Sequence, residues 1–364
     1  MNIKNQVSEL SDCLHKTKYK NIIKFPLRKY PFQTSTFINE IQIIFNFIFG
    51  RSNLFSISLF PHIYLKFIFN RELGLLRKIL FLNEVVETQK INFIGKNWLE
   101  KSITSGLIKV EGNNSIRFLY RIVPYRDFLL ITSRFDRNDS AFTYLSYDSL
   151  FFADFIRDQL DKRKFRGQNG LDICCGVGIL SLVMSRYCTR ICGVDLNPAS
   201  INLAQMNAEL HEIVNCEFFN KSFQECNNNL FDLVVANPPF IHFPKVVSGP
   251  LDSDGGEPYG LGITIEIIHK IPHLLKKSGR AYILTRSPII NGIDFLYEHM
   301  LTLLPDGFSY TYHDLSDSIG SHELDSNAGG IECFHHVIID IVHKQYNHRK
   351  KITYPFLFRN THLF

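Results

Sequence analysis

From residue 170 onward, short apolar runs alternate with helix-patterned segments, and this alternation constrains the fold more than any other feature of the 364-residue chain. GLDICC, RICGVDL, CEFFN, FDLVVA and GRAYILTRS have the length and apolar content of buried strands. GILSLVMSRYC, PASINLAQMNAELH and IEIIHKIPHLLKK, lying among them, carry the longer helical period. Two-residue hairpins cannot connect strands separated in this way. Crossover helices of roughly 10–15 residues do, and they make the strands run parallel. The expected class is therefore α/β, with a helix over Asp148–Leu160 leading into the sheet.

The first 140 residues read differently. Helical patterning at about 37–49, 57–69 and 71–86 is followed by a short helix from Asn97 to Leu107 with Trp98, Leu99 and Ile103 on one side. LIKVEGNNSIRFLYRIVPY then reads as a strand pair turning at Gly112-Asn113-Asn114. Helices followed by a tight hairpin are the order of a winged-helix unit. The expected domains are 1–140 (helical, winged-helix-like), 141–345 (the α/β domain) and 346–364 (a basic tail).

Charge follows the same division. Residues 1–150 hold 21 Lys/Arg and 12 Asp/Glu, residues 151–340 hold 14 and 23, and residues 341–364 hold 5 and none. A net charge of +5 is thus a basic front, an acidic middle and a basic end, as expected of modules with different partners. A hydrophobic share of 45% excludes a disordered chain. The 32 phenylalanines read first as core filling, and gain weight as pocket lining if the site is closed.

The most apolar stretch, Ile41–Phe69, is interrupted by Asn46, Arg51, Asn53, Pro61 and Lys66, so a spanning helix is not expected. The eight cysteines form no paired CxxC units, and His322, His335 and His336 lack ligand spacing. Reduced thiols, no metal and a cytoplasmic protein are the expectation.

Two turns carry the chemistry. In GLDICCGVGIL a strand reaches Asp172, turns through Gly176 and Gly178 and enters a helix. Glycines at such a turn let the backbone approach a ligand closely. Asp195 ends the next strand, placed to accept the hydroxyls of a ribose or to act as a helix N-cap before Asn197-Pro198. Position 181 is Ser, so the loop lacks GxGxxG.

The second turn is Asn237-Pro238-Pro239-Phe240, directly after FDLVVA. Two prolines cannot continue a central strand, so the chain leaves the sheet in a stiff, extended form. That pins the Asn237 side chain and the Pro238 carbonyl at the carboxyl end of the sheet, where open α/β folds bind ligands. Two fixed acceptors can grip an NH2 group while Phe240 offers a face to a planar substrate. An amide or aromatic amine is a poor nucleophile because its lone pair is delocalised. Accepting both hydrogens favours pyramidalisation and aims the lone pair at an electrophile, with no strong base required.

With these motifs the chain resembles the class I S-adenosylmethionine-dependent methyltransferases, and within them the NPPF/NPPY amino-methyltransferases acting on nucleic-acid bases or on release-factor glutamine. The resemblance covers roughly residues 140–345 and implies a Rossmann-like, seven-stranded sheet. It assigns Asp172, Cys174 (where many members have Gly), Gly176, Gly178, Asp195, Leu196 and Asn237 to the cofactor, with Ser222 in the adenine position. It assigns Asn237, Pro238 and Phe240 to catalysis and Tyr147, Asp148, Pro239 and His242 to the substrate, with Ser149 also near the cofactor. The glycines of DSDGGEPYGLGITIEII (Gly255, Gly256 and Gly260, with Asp254 and Leu261) are expected to shape a flexible cover over the acceptor.

The implied activity is methyl transfer to an amino or amide nitrogen, with a base in RNA as the first expectation. The alternative is a small-molecule or peptide-tailoring enzyme with a closed pocket, including one in which S-adenosylmethionine reacts with itself to release methylthioadenosine. A non-enzymatic binding module is disfavoured because both motifs are intact. Nothing in the sequence sets the oligomeric state.

Overall fold

The computed structural model describes residues 3–16, 71–134, 142–143, 145–226, 230–243, 253–320, 330–343 and 349–353. The helical patterns at 37–49 and 57–69 lie outside them, as do His322 and residues 354–364. The chain divides into two units at Arg137/Asn138.

The first unit contains α1 (Ile3–Lys16), α2 (Arg71–Leu76, continued by a wider turn over Arg77–Phe81), β1 (Val86–Glu87), α3 (Lys96–Thr104), β2 (Ile108–Glu111) and β3 (Ser115–Phe118). The hairpin turns at residues 112–114 as its Gly-Asn-Asn demands, with Glu111 opposite Ser115, and β1 adds to β3 to make a three-stranded antiparallel sheet. Trp98 packs on Phe118 and donates its indole N–H to the Gln6 carbonyl at 2.8 Å, tying α3 to α1. RIVPY does not extend this hairpin, contrary to the sequence reading. Arg121–Tyr125 (β4) pairs instead with Phe128–Thr132 (β5), both buried throughout. At the start of β4 the Arg121 Nε–H donates to the Phe81 carbonyl at 3.0 Å and its guanidinium lies over the Phe81 ring, holding the strand against the end of α2.

The second unit is α/β, as the alternation requires. After α4 (Tyr147–Lys162) come β6 (Gly167–Ile173), α5 (Ile179–Met184), β7 (Cys188–Asp195), α6 (Pro198–Leu210), β8 (Cys216–Asn220) and β9 (Phe231–Ala236). Then follow α7 (Gly262–Leu274), β10 (Leu275–Ile290), β11 (Ile293–Asp294), α8 (Phe295–Leu303), β12 (Phe308–Gly320), β13 (Ile331–His343) and β14 (Arg349–Thr353). The sheet order is β14-β12-β13-β10-β9-β6-β7-β8, with β11 on β10. Strands β8 to β10 run parallel, whereas β13 is antiparallel to β10 and to β12. This is a Rossmann-like order with a reversal between β6 and β9. Its core joins Leu171, Ile173, Val234, Ala236 and Ile283 of the sheet to Ile267, Ile268 and Ile271 of α7, all buried.

The sheet is wider than the expected seven strands. Part of the segment read as a basic tail forms β14, parallel to β12. Lys351 explains the docking: its ammonium reaches Asp294 at 3.0 Å and Asp314 at 3.3 Å, two carboxylates almost without solvent contact. Burial lowers the lysine pKa and the two carboxylates raise it, and the net shift is upward. Withdrawing the ammonium would remove a cationic partner from two buried carboxylates.

Candidate functional site

Register brings the two sequence motifs together. Ile173 of β6 pairs with Ala236 of β9 on one side and Val194 of β7 on the other. Cys174, Asp195 and Asn237 therefore lie side by side at the carboxyl ends of three adjacent strands. This is the switch point of the sheet, where the strand order reverses and a crevice opens between diverging connections.

The glycine loop is closed from below by Asp172. One carboxylate oxygen accepts the Ser181 backbone N–H at 2.9 Å and the Ser181 hydroxyl at 2.7 Å, which ties the strand end to α5. Its other oxygen is buried without a hydrogen-bond partner. Burial pushes the carboxyl up from 3.8 to about 7, against the lowering effect of the Ser181 bonds. Between those two values the folded state holds a proton that the unfolded chain has released, so stability falls as pH rises from about 4 to 7. Asp172→Asn removes this titration. Relative to the native chain the variant is expected to gain about 2–3 kcal/mol between pH 4.5 and pH 8. Urea unfolding at the two pH values checks it, and an unchanged difference would contradict the buried proton.

Above Asp172, Cys174 adopts φ +57°, a left-handed conformation that costs a non-glycine residue about 1 kcal/mol. The two glycines serve different ends. Gly178, at φ +84°, lies where a Cβ would be 3.0 Å from the Ala204 methyl, so it packs α5 against α6. A Cβ on Gly176 would meet nothing within 4 Å, so the loop is open there. Asp195 holds the open side: its carboxylate accepts the Gly176 N–H at 2.9 Å and the Asn197 N–H at 2.8 Å. The helix cap proper is Asn197, whose side chain accepts the Ala199 N–H. Leu196 is 58% exposed, an apolar side chain left at the crevice. An open glycine, a carboxylate beside it and an exposed leucine next in the chain fit a nucleoside whose planar base packs on the leucine.

Ser222, expected in the adenine position, lies in the turn that follows β8. Its hydroxyl accepts the Gln224 N–H and its own N–H is taken by Glu225, so it caps the turn Phe223–Glu225. Asn220, which the sequence reading passed over, holds the carbonyls of Asp195 and Leu196 through its amide. Only the pairing of Asp195 with Asn220 reveals it.

At the second turn, Pro238 is buried and Asn237 and Pro239 are half-buried. The Asn237 amide donates to Ser149 Oγ at 3.0 Å, while its Oδ1 is buried without a partner. This is an acceptor with no donor from the chain. Phe240 is 9% exposed, less open than a stacking platform would be. The Arg286 guanidinium lies over its ring at 5.1 Å and His336 meets it edge-on. Arg286 donates to His336 Nε2 at 3.0 Å, across paired strands that the sequence does not align. His335 pairs with Asp314 instead, and no cluster of metal-ligating groups occurs among the described residues. Asp148 is half-buried in the first turn of α4, and the side chain of Tyr147 lies outside the described residues. His242 meets the Tyr259 ring edge-on.

The glycine-rich segment is a buttress rather than a flexible cover. Ile241 and Asp254 form a bridge, and a Cβ on Gly255 would sit 1.9 Å from the Gly260 carbonyl oxygen and 2.8 Å from Phe240 Cα. A Cβ on Gly260, itself at φ +80°, would be 2.6 Å from the Phe240 carbonyl oxygen. The glycines are there so that backbone can lie on backbone.

Residues 153–290 match the family model described as the methyltransferase small domain. Over 129 residues the chain is 33% identical to a putative protein N5-glutamine methyltransferase of Methanocaldococcus jannaschii, covering 34% of this chain and 64% of that protein. It is 32% identical over 72 residues to the release factor glutamine methyltransferase of Buchnera aphidicola, covering 20% and 26%. A 23S rRNA (uracil(1939)-C(5))-methyltransferase of Legionella pneumophila is 33% identical over 75 residues, covering 19% and 17%. The chain thus spans between a sixth and two thirds of the length of these relatives. The matched segment is similar to the methyltransferase small domain, and that likeness supports S-adenosylmethionine as the cofactor. No helix among the described residues is long and apolar enough to cross a membrane.

Proposed function

We propose that this chain is an S-adenosylmethionine-dependent methyltransferase that modifies an amino or amide nitrogen, with a base in RNA as its acceptor. The observation that carries the reading is the buried, unpartnered Oδ1 of Asn237 at the switch point. A buried acceptor left empty costs about 1–3 kcal/mol, and an incoming N–H removes that cost.

Gly176, Asp195 and Leu196 would hold the cofactor, with the Asp195 carboxylate receiving ribose hydroxyls and Leu196 covering the base. The cofactor supplies an electrophilic methyl group on a sulfonium sulfur. Asn237 Oδ1 and the Pro238 carbonyl accept the two hydrogens of the acceptor nitrogen, and the rigid Pro238-Pro239 pair keeps both in place. Phe240, with Arg286 over it, walls the acceptor with an aromatic and cationic surface. In RNA the target base must be unstacked to reach this crevice. The excess of Lys and Arg in residues 1–150, in a helical, winged-helix-like unit, supplies phosphate contacts.

A second reading, glutamine in a protein, is favoured by the identity to the N5-glutamine relative. The test is incubation with methyl-labelled S-adenosylmethionine and, in separate reactions, total RNA, a glutamine-bearing peptide and no acceptor. Label in RNA nucleosides supports the first reading and label in the peptide supports the second. Methylthioadenosine without any acceptor overturns both in favour of cofactor self-reaction.

A further inference from the structure

We propose that Ser149 is a positioning residue that sets which way the Asn237 amide faces. The role rests on the acceptor-gripping part given above to Asn237. A carboxamide has two ends of nearly equal shape, so only hydrogen bonds decide which one meets the substrate. If the NH2 end faced the acceptor, it would repel an incoming N–H instead of receiving it.

The orientation is set by a relay that starts at a helix cap. Ser146 is the N-cap of α4, and its hydroxyl oxygen accepts the Ser149 backbone N–H at 3.3 Å. Capping holds the Ser146 side chain in one rotamer, with its oxygen acting as an acceptor. Ser149 Oγ lies 3.0 Å from that same oxygen. A Ser149 proton directed at Ser146 leaves the Ser149 lone pairs to receive a donor, and the donor they receive is Asn237 Nδ2–H at 3.0 Å. With the Ser149 proton directed at Ser146, reversing the amide would set Oδ1 against those lone pairs. Ser146 and Ser149 are each 9% exposed, so little water is at hand to mediate the reversed arrangement. The bond spans 88 residues of sequence, from the first turn of α4 to the end of β9. The sequence reading places Ser149 near the cofactor, whereas the geometry gives its hydroxyl to the catalytic asparagine.

Ser149→Ala is expected to lower kcat about 10–30-fold, to leave the cofactor KM within about twofold, and to melt close to the native protein. Ser149→Thr keeps the hydroxyl and is expected to recover most of the rate. A purely structural serine would not give that separation of kcat from KM, nor its rescue. A second measurement needs no acceptor: the side-chain amide signals of asparagine-labelled full-length protein, with Asn237 assigned by substitution. One Asn237 amide proton should exchange slowly in the native protein, exchange freely in Ser149→Ala and slow again in Ser149→Thr. Identical Asn237 signals with and without the hydroxyl would overturn the proposal, as would an unchanged kcat in a native enzyme that transfers methyl groups. If the native protein methylates neither RNA nor peptide, the functional reading fails, and the amide signals still decide the Ser149 contact.

Discussion

Asn237→Ala is expected to reduce methyl transfer to RNA by about 10²–10³-fold at saturating cofactor, the scale seen when one preorganised polar contact to a developing charge is removed. The fold should survive, because the side chain loses one hydrogen bond, to Ser149, worth roughly 1 kcal/mol. Asn237→Asp keeps an acceptor oxygen but replaces the NH2 that Ser149 receives with a second acceptor. It should therefore retain more activity than the alanine variant and less than the native enzyme. Counting labelled methyl groups in RNA from the three proteins gives the ordering. Equal activity of Asn237→Ala and native protein would sink the assignment of this residue to the acceptor nitrogen.

Gly255→Ala has the largest expected effect on stability. The added Cβ would meet the Gly260 carbonyl group and Phe240 Cα, all backbone atoms, so no rotamer change relieves the clash. Either the glycine segment or the Asn237–Phe240 turn must move. A destabilisation of about 3 kcal/mol is expected, or roughly 6–12 °C in Tm for a unit of this size. Methyl transfer should fall as well, since the displaced turn carries Asn237. Gly74→Ala is the control: nothing lies within 4 Å of its Cβ position and it sits within the helical turn of α2, so it should be neutral or slightly stabilising. A Gly255→Ala protein that melts within about 1 °C of native would show that the segment is loosely seated.

Both predictions depend on features visible in the sequence to different degrees. The tandem proline after FDLVVA marks where the chain leaves the sheet, because proline acts on its own backbone and on the residue before it. The turn at 112–114 is legible for the same reason, whereas the cap read at Asp195 falls on Asn197 in the structure. The glycines of residues 255–262 were equally visible but were read as a flexible cover. Glycine marks both mobile backbone and backbone in close contact, and only the position of Phe240 and Ile241 tells them apart. Ser222 forms a capping box with Glu225 that the sequence reading passes over.

Strand and helix periods, the turns that follow β6 and β9 and the α/β class were determined by the sequence alone, since each depends on residues within a few positions of one another. The tertiary structure decided what crosses long stretches of chain. It set Cys174, Asp195 and Asn237 at one level of the sheet, Arg286 and His336 around Phe240, Lys351 on Asp294 and Asp314, and Ser149 on the amide of Asn237. These are set by strand register and by the burial of polar groups that must find partners, and many side chains of the right chemistry compete for those positions until the chain has folded.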